Sequence, residues 1–91
     1  MLRTLVENEL YSLHLKQLGD VERLDDAVIG ATWAIAYMAE DFPLVPGTHA
    51  LRVAKTERLS LKGRKVQLRI WFTVRDQATV ELLEIDYVAV P

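Results

Sequence analysis

The sequence predicts a single α+β domain in which two N-terminal helices pack on one face of a three- to four-stranded, mainly antiparallel sheet. Apolar residues recur at helical spacing in the first half of the chain and alternate with polar residues in the second half. Helices followed by strands are typical of α+β domains with the helices on one sheet face. A chain of 91 residues that is 51% hydrophobic can bury one modest core. We therefore expect residues 1–91 to form one domain.

The first helix is predicted between residues 7 and 18, and Gly19 is expected to end it. Its apolar stripe consists of Val6, Leu10, Leu13 and Leu18. The preceding residues, 1–6, fit either a short edge strand or the beginning of this helix, and the sequence leaves both open.

The second helix is longer, with Asp20 as its predicted N-cap and Pro43 just beyond its end. One face carries the predicted core residues Leu24, Val28, Ala31, Ile35, Met38 and Phe42. A second apolar flank contains Trp33 and Tyr37. Aromatic stripes at helical spacing are usually internal, which predicts buried rings. The alternative is that Trp33 and Tyr37 form a partner-binding surface, because so wide an apolar arc exceeds what a small domain can cover.

A strand is predicted to begin near Ala50, with Leu51 and Val53 facing the core. The residues predicted to face outward are Arg52, Ala54, Thr56 and Arg58. A loop over residues 60–65 then leads into a hairpin over residues 66–90, where apolar and polar residues alternate on both sides of a turn at 76–79.

Pairing of Asp76 with Thr79 sets the register of this hairpin. Its apolar face then carries, among others, Phe72 opposite Leu83 and Leu68 opposite Tyr87. Its other face carries Trp71 opposite Glu84 and Arg69 opposite Asp86.

Charge is unevenly distributed along the chain. The net charge is −2, without the excess of Lys and Arg that is usual in nucleic-acid-binding domains. Between residues 52 and 75, however, eight Lys and Arg residues stand against the single acid Glu57. This predicts a local anion-binding face, and the alternative is a set of solvated surface residues. The candidate nucleic-acid-binding residues are Arg52, Arg58, Arg69, Trp71 and Arg75. For Arg69, the alternative is a cross-strand ion pair with Asp86.

Several functional classes are not indicated. The chain has no cysteine, no Gly-rich phosphate loop and no metal-ligand spacing, so we expect neither a metal nor a cofactor. His14 and His49 lack a matching nucleophile. The N-terminus lacks the features of a signal peptide, and the longest weakly charged run, 27–39, is too short to span a bilayer. We expect a cytoplasmic protein without membrane association.

The order of elements, with the segments LRVAKTERL, RIWFTVRD and VELLEI, resembles the RelE/ParE superfamily of bacterial toxin-antitoxin toxins over about residues 8–88. The resemblance implies an mRNA-interfering or gyrase-directed growth inhibitor with a cognate antitoxin as its partner. In the RelE branch it implies an mRNA endonuclease acting on the ribosome. Carried over by position, it places candidate catalytic residues at Arg69, Arg52, Lys55 and Tyr87.

The chain also departs from the family pattern. The family's His-Arg near the last strand is missing, and EIDYVAVP stands in its place. The usual catalytic set is therefore incomplete, and Asp86 would oppose phosphate binding beside Arg69. The alternative function is a non-catalytic protein-interaction module that retains the fold. RNA or the ribosome as a partner, and association of the chain with itself, remain open.

Overall fold

The computed structural model describes residues 2–19 and 23–91, which form two α-helices and a four-stranded mixed sheet. The elements in chain order are β1 (Thr4–Glu7), α1 (Glu9–Leu18), α2 (Leu24–Met38) with a following 3₁₀ turn (Ala39–Asp41), β2 (Leu51–Leu61), β3 (Arg64–Val74) and β4 (Thr79–Ala89). The sheet order is β1-β4-β3-β2, and β1 is parallel to β4 while the other pairs are antiparallel. The α+β class is confirmed, but the helices follow a strand instead of opening the chain.

The segment that the sequence left undecided forms β1. After this strand the backbone N–H of Asn8 donates to the carbonyl of Leu82, and the Asn8 side chain accepts from the Leu10 N–H at 2.9 Å as the N-cap of α1. Gly19 ends α1 as predicted, with a left-handed φ of 74°. Met1 and the predicted N-cap Asp20 lie outside the described residues.

Helix α1 packs against β4 through a stripe that shares only Leu18 with the predicted one. Tyr11 is buried and Leu15 and Leu18 pack against the core, whereas Leu10 and Leu13 are exposed. Both stripes have helical spacing, so the sequence period alone does not distinguish them. The large Tyr11 ring is the one that the core accommodates.

Helix α2 packs against β2, and its buried residues are Leu24, Ala27, Ile35 and Ala36. Met38 was predicted to be internal but is 50% exposed. The chain tightens into the 3₁₀ turn after Met38, and the small Ala39 is buried there instead. Trp33 and Tyr37 are also exposed, so the prediction of buried rings is wrong.

In the first half of strand β2, the residues that face the core are those predicted to face outward. Ala54 and Thr56 are buried, and Leu51 and Val53 lie on the other sheet face. A β-bulge between Lys55 and Arg58 is the reason, because it inserts one residue and reverses which positions face inward. Beyond the bulge, the buried leucines are Leu59 and Leu61. The apolar pairs at the two ends of β2 therefore face opposite sides of the sheet.

The β3–β4 register is as predicted from Val66 to Trp71 and then shifts by one residue. A bulge at this point places Leu82, not Leu83, opposite Phe72. Leu82 consequently enters the core.

The predicted loop over residues 60–65 is a two-residue turn. Lys62 and Gly63 connect β2 to β3 with φ values of 51° and 77°. Positive φ at both central residues is what a tight hairpin turn of the right twist requires.

Candidate functional site

The sheet face opposite the one that α2 covers, here called the outer face, carries the polar and aromatic residues of the predicted basic surface. Opposed residues of neighbouring strands share a face. The outer face therefore includes Lys55 on β2, Arg69 and Trp71 on β3, and Glu84 and Asp86 on β4.

Arg69, Asp86 and Trp71 form one hydrogen-bonded cluster on the outer face. The Arg69 Nε and Nη2 atoms donate to the two Asp86 carboxylate oxygens at 2.8 and 2.7 Å. The Trp71 Nε1 donates to the same carboxylate at 3.3 Å, and the guanidinium carbon lies 5.1 Å from the centre of the Trp71 ring. The hydrogen bond with Asp86 raises the pKa of Arg69. The predicted cross-strand ion pair is confirmed, and it neutralises this part of the face.

The other carboxylates of the outer face also have partners. Glu81 accepts from Asn8 Nδ2 at 3.3 Å and pairs with Arg75 at 3.0 Å. The hydrogen bond from Asn8, followed by that from Arg75, lowers the pKa of Glu81. Glu84 contacts the Nδ1 atom of His14 on α1. Arg75, a predicted nucleic-acid-binding residue, is thus also in an ion pair.

Arg52 does not lie on the outer face. It stands opposite the fully buried Phe72, and its guanidinium donates to the backbone carbonyls of Glu40 and Phe42, in and directly after the 3₁₀ turn that follows α2. These bonds satisfy carbonyls that a helix end leaves without intrahelical partners. The prediction that Arg52 faces outward is therefore wrong, because the β2 bulge reverses the strand.

Tyr87 is likewise on the helix side, opposite Leu68 as the register predicted. It is 51% exposed and lines a recess with His14, Gln17 and Leu18, so it is beside the core and not inside it. The four candidate catalytic residues are consequently divided by the sheet. Arg69 and Lys55 lie on the outer face, and Arg52 and Tyr87 lie on the other.

Lys55 stands directly opposite Arg69 on the neighbouring strand. Like charges in this position destabilise a strand pair. The carboxylate of Asp86 offsets the Arg69 charge, whereas Lys55 is exposed and makes no ion pair within residues 2–19 and 23–91. Lys55 is thus a cation of the outer face that the described residues leave uncompensated.

Sequence reasoning missed an apolar groove on the outer face. Leu10, Leu51, Trp71 and Leu83 line an open groove of about 500 Å³ between β2 and the beginning of α1. The groove depends on both bulges, because the predicted parity placed Leu51 and Leu83 inside. The alternation of apolar residues in the sequence carries no signal of it.

The exposed aromatic flank of α2 is the other surface with a distinct chemistry. The rings of Trp33 and Tyr37 stack with centroids 5.1 Å apart, and the two residues are 59% and 45% exposed. Trp33 and Ile29 also line a mainly apolar groove of about 390 Å³ with Leu2 and Leu5, between α2 and β1. We call Leu2, Ile29, Trp33 and Tyr37 the α2 flank. The exposure of these rings rules out the buried alternative, and the partner surface stays a prediction.

No helix within residues 2–19 and 23–91 is both long and apolar enough to cross a membrane. Neither protein-family models nor curated proteins match the chain. The resemblance to the RelE/ParE superfamily therefore rests on the quoted segments and the order of elements.

Proposed function

We propose that this chain is a non-catalytic protein-binding module on a RelE/ParE-like scaffold, and that it binds its partner through the α2 flank. The stacked and exposed Trp33–Tyr37 pair is the observation that carries the proposal. Tryptophan and tyrosine are the side chains most often found at the energetic centre of protein interfaces. Exposed apolar patches beside polar rims are typical of interaction sites.

The charges around the α2 flank indicate the chemistry of the partner. Asp25 and Asp26 are exposed at the beginning of α2, and Glu40 and Asp41 are exposed at its end. Only Glu40 has an ion pair among the described residues, with Arg3 at 2.7 Å. An apolar surface with acidic ends fits an amphipathic segment whose apolar side chains are flanked by Lys or Arg. A cognate antitoxin with such a segment would be a partner of this kind.

The same charges disfavour a symmetric dimer through α2. In a parallel arrangement the acidic beginnings of two α2 helices would meet, and so would their acidic ends. In an antiparallel arrangement the beginning of one helix would meet the acidic end of the other. Either arrangement brings like charges together, which costs free energy at an interface.

The arrangement of the candidate catalytic residues supports the non-catalytic part of the proposal. Acceleration of phosphodiester cleavage requires cations aimed at the charge that develops in the transition state. Both carboxylate oxygens of Asp86 already accept hydrogen bonds from Arg69, and Arg52 binds helix carbonyls on the other side of the sheet. Lys55 is the remaining candidate cation that faces outward without an ion pair in the described part of the chain.

Co-expression with the product of the adjacent reading frame, followed by purification and calorimetric titration, tests the proposal. We expect a stable complex that Trp33→Ala weakens at least about 30-fold, as for a central interface aromatic worth about 2 kcal/mol. Leu13→Ala is the matched control, because Leu13 is a similarly exposed helical residue on α1. Arg69→Ala should also leave the affinity unchanged.

Equal losses of affinity for Trp33→Ala and Leu13→Ala would contradict binding through the α2 flank. Circular dichroism of each variant separates loss of binding from loss of folding. Sedimentation of the chain alone provides a second check. A dimer that dissociates on Trp33→Ala would show that the α2 flank binds a second copy of the chain and not a basic partner.

The second candidate is a growth-inhibiting toxin that acts on mRNA or on gyrase. The β-α-α-β-β-β order and the uncompensated Lys55 favour it. Expression without the partner gene should then arrest growth, with either cleaved mRNA or altered DNA supercoiling, and Lys55→Ala should relieve the arrest. Normal growth with intact mRNA and normal supercoiling would exclude this candidate.

A further inference from the structure

We infer that the edge of the sheet at β2 binds an extended peptide segment in which acidic and apolar side chains alternate. β2 is the last strand in the sheet order, so β3 pairs with one side of it and no described strand pairs along the other. The side of residues 55–60 that points away from β3 is here called the free edge. It shares no residue with the α2 flank, so the inference is independent of the proposed function.

The backbone direction in the first half of β2 follows from its contacts with residues 43–45. The Leu51 carbonyl accepts from the Val45 N–H at 2.8 Å. The Val53 N–H donates to the Pro43 carbonyl at 3.4 Å. Residues 51 and 53 thus direct these groups away from β3, and the alternation of backbone direction along a strand turns Lys55 the same way. In the described part of the chain, no hydrogen bond reaches the Lys55 backbone from that side.

The free edge continues beyond the β2 bulge. The Lys65 carbonyl accepts from the Val90 N–H and therefore points away from β2. Ser60 stands opposite Lys65, and opposed residues of an antiparallel pair point their backbone groups either toward each other or both away. Ser60 thus points toward the free edge, and alternation turns Arg58 the same way. Such a row of N–H and carbonyl groups pairs readily with the backbone of another extended chain.

The cations of the free edge lie on one face of the sheet. Lys55 stands opposite Arg69 and Arg58 opposite Gln67, so both side chains belong to the outer face. Both are exposed, and neither has an ion pair among residues 2–19 and 23–91. Cations on an edge strand oppose pairing with a second copy, because like charges would then meet. The same cations attract a strand that carries Asp or Glu on this face.

The helix side of the free edge holds an open groove of about 350 Å³ between α2 and β2. Its small or apolar lining residues include Ala27, Gly30, Ala34 and Phe42. A Cβ atom at Gly30 would meet no other atom within 4 Å, so this part of α2 leaves space beside β2. Asp26 and Glu57 also line the groove, which disfavours acidic side chains there. The groove therefore fits apolar side chains.

The two sides of the free edge together determine the side-chain pattern of the bound segment. A strand added about 4.8 Å from β2 points successive side chains to opposite faces. One set of alternate side chains then meets the Lys55 and Arg58 cations, and the other set enters the groove beside α2. A helical segment does not fit this site, because its backbone groups bond within the helix and leave those of the free edge unpaired. Addition of a strand to an exposed sheet edge is a common mode of peptide recognition.

The test measures, by fluorescence anisotropy, the affinity for a labelled peptide of about eight residues in which Glu and Val alternate. Lys55→Gln/Arg58→Gln should weaken binding about 10-fold, as for two exposed ion pairs. The control Lys16→Gln/Arg64→Gln removes the same charge from α1 and from the beginning of β3, and its affinity should equal that of the wild type. A peptide of alternating Lys and Val, and one with Glu and Val in separate blocks, should bind at least about 10-fold more weakly.

Two further variants test the backbone pairing and the groove. Ser60→Pro removes an N–H of the free edge without removing a bond of the β2–β3 ladder, and should weaken binding about 10-fold while Ser60→Ala does not. Gly30→Leu should fill the groove and abolish binding, and it favours the helix, so the fold is retained. Trp33→Ala should have no effect, which separates this site from the α2 flank. Hydrogen exchange at the amides of Lys55 and Ser60 should slow when the peptide is bound.

Four outcomes would overturn the inference. The first is absence of binding to the alternating peptide. The second is equal affinity for the alternating and block peptides, since charge without strand pairing would then explain the binding. The third is an equal loss of affinity for Ser60→Pro and Ser60→Ala. The fourth is a dimer of the chain alone that Ser60→Pro dissociates, because a second copy would then occupy the free edge.

Discussion

The ion pair between Arg69 and Asp86 should stabilise the sheet both directly and by offsetting the repulsion between Arg69 and Lys55. Asp86→Asn removes the negative charge but keeps the shape of the side chain and one acceptor oxygen. The guanidinium of Arg69 would then face the ammonium of Lys55, its direct cross-strand neighbour, without a carboxylate to offset its charge.

The magnitude follows from the exposure and geometry of the pair. The side chains of Arg69 and Asp86 are 30% and 40% exposed, so solvent screening limits the ion pair to about 1 kcal/mol even with its bidentate geometry. Unrelieved repulsion across the strand pair adds roughly 0.5 kcal/mol. We therefore expect Asp86→Asn to lower the free energy of unfolding by about 1–1.5 kcal/mol.

The assay is urea denaturation of a double-mutant cycle at low salt. Lys55→Gln should change the stability of the wild type by less than about 0.3 kcal/mol, but should restore about 0.5 kcal/mol in the Asp86→Asn background. For an m-value of about 2 kcal/mol/M, the second effect moves the midpoint by about 0.25 M urea. The coupling should shrink in 0.5 M salt, because the Debye length is then about 4 Å.

Two results would refute this reasoning. If Asp86→Asn left the stability unchanged, the Arg69–Asp86 pair would not contribute to it. If Lys55→Gln had the same effect in both backgrounds, Lys55 and Arg69 would not repel each other in the folded protein.

Three further predictions concern single side chains. Burial raises the pKa of Tyr11 from 10.0 to about 12. The neutral form therefore stabilises the fold below pH 10, and this contribution, at most roughly 3 kcal/mol, is lost as the pH rises to 12. Tyr11→Phe should remove that part of the alkaline loss in urea titrations. The pKa of Glu81 is lowered, chiefly by Asn8, so its stabilisation is present above about pH 4.3 and is lost as the pH falls through the folded pKa. Glu81→Gln should flatten the decline in melting temperature between pH 5 and 3, and an unchanged decline would contradict this. The Thr56 hydroxyl accepts the buried N–H of Leu68 at 3.1 Å, so Thr56→Val should cost about 1–3 kcal/mol in urea denaturation.

The alternation of apolar and polar residues predicted the parts of the site that depend on residues close together in the sequence. The pairing of Arg69 with Asp86 followed from the alternation in β3 and β4, and the structure has the same pairing. The position of Tyr87 opposite Leu68 followed in the same way, but the position of Arg52 relative to Arg69 did not. The β2 bulge separates Arg52 from the hairpin turn, and no residue type in LRVAKTERL predicts that bulge.

The sequence pattern also did not decide whether the α2 flank is exposed. A helix that is apolar over a wide arc presents two faces of similar hydrophobicity, and both Ile35 and Trp33 belong to such faces. The sheet covers only one of them. The small residues Ala27 and Ala36 are buried at close approach, and the larger Trp33 ring remains outside.

The sequence by itself determined the α+β class, the β3–β4 hairpin as far as Trp71 and the cross-strand pair of Arg69 with Asp86. These features depend on side-chain period and on a local turn, which neighbouring residues specify. Only the tertiary structure decided that β1 joins the sheet, that Arg52 faces the helices and that the α2 flank is exposed. The physical reason is that a one-residue bulge reverses every side chain beyond it, and that burial depends on which surface another element covers.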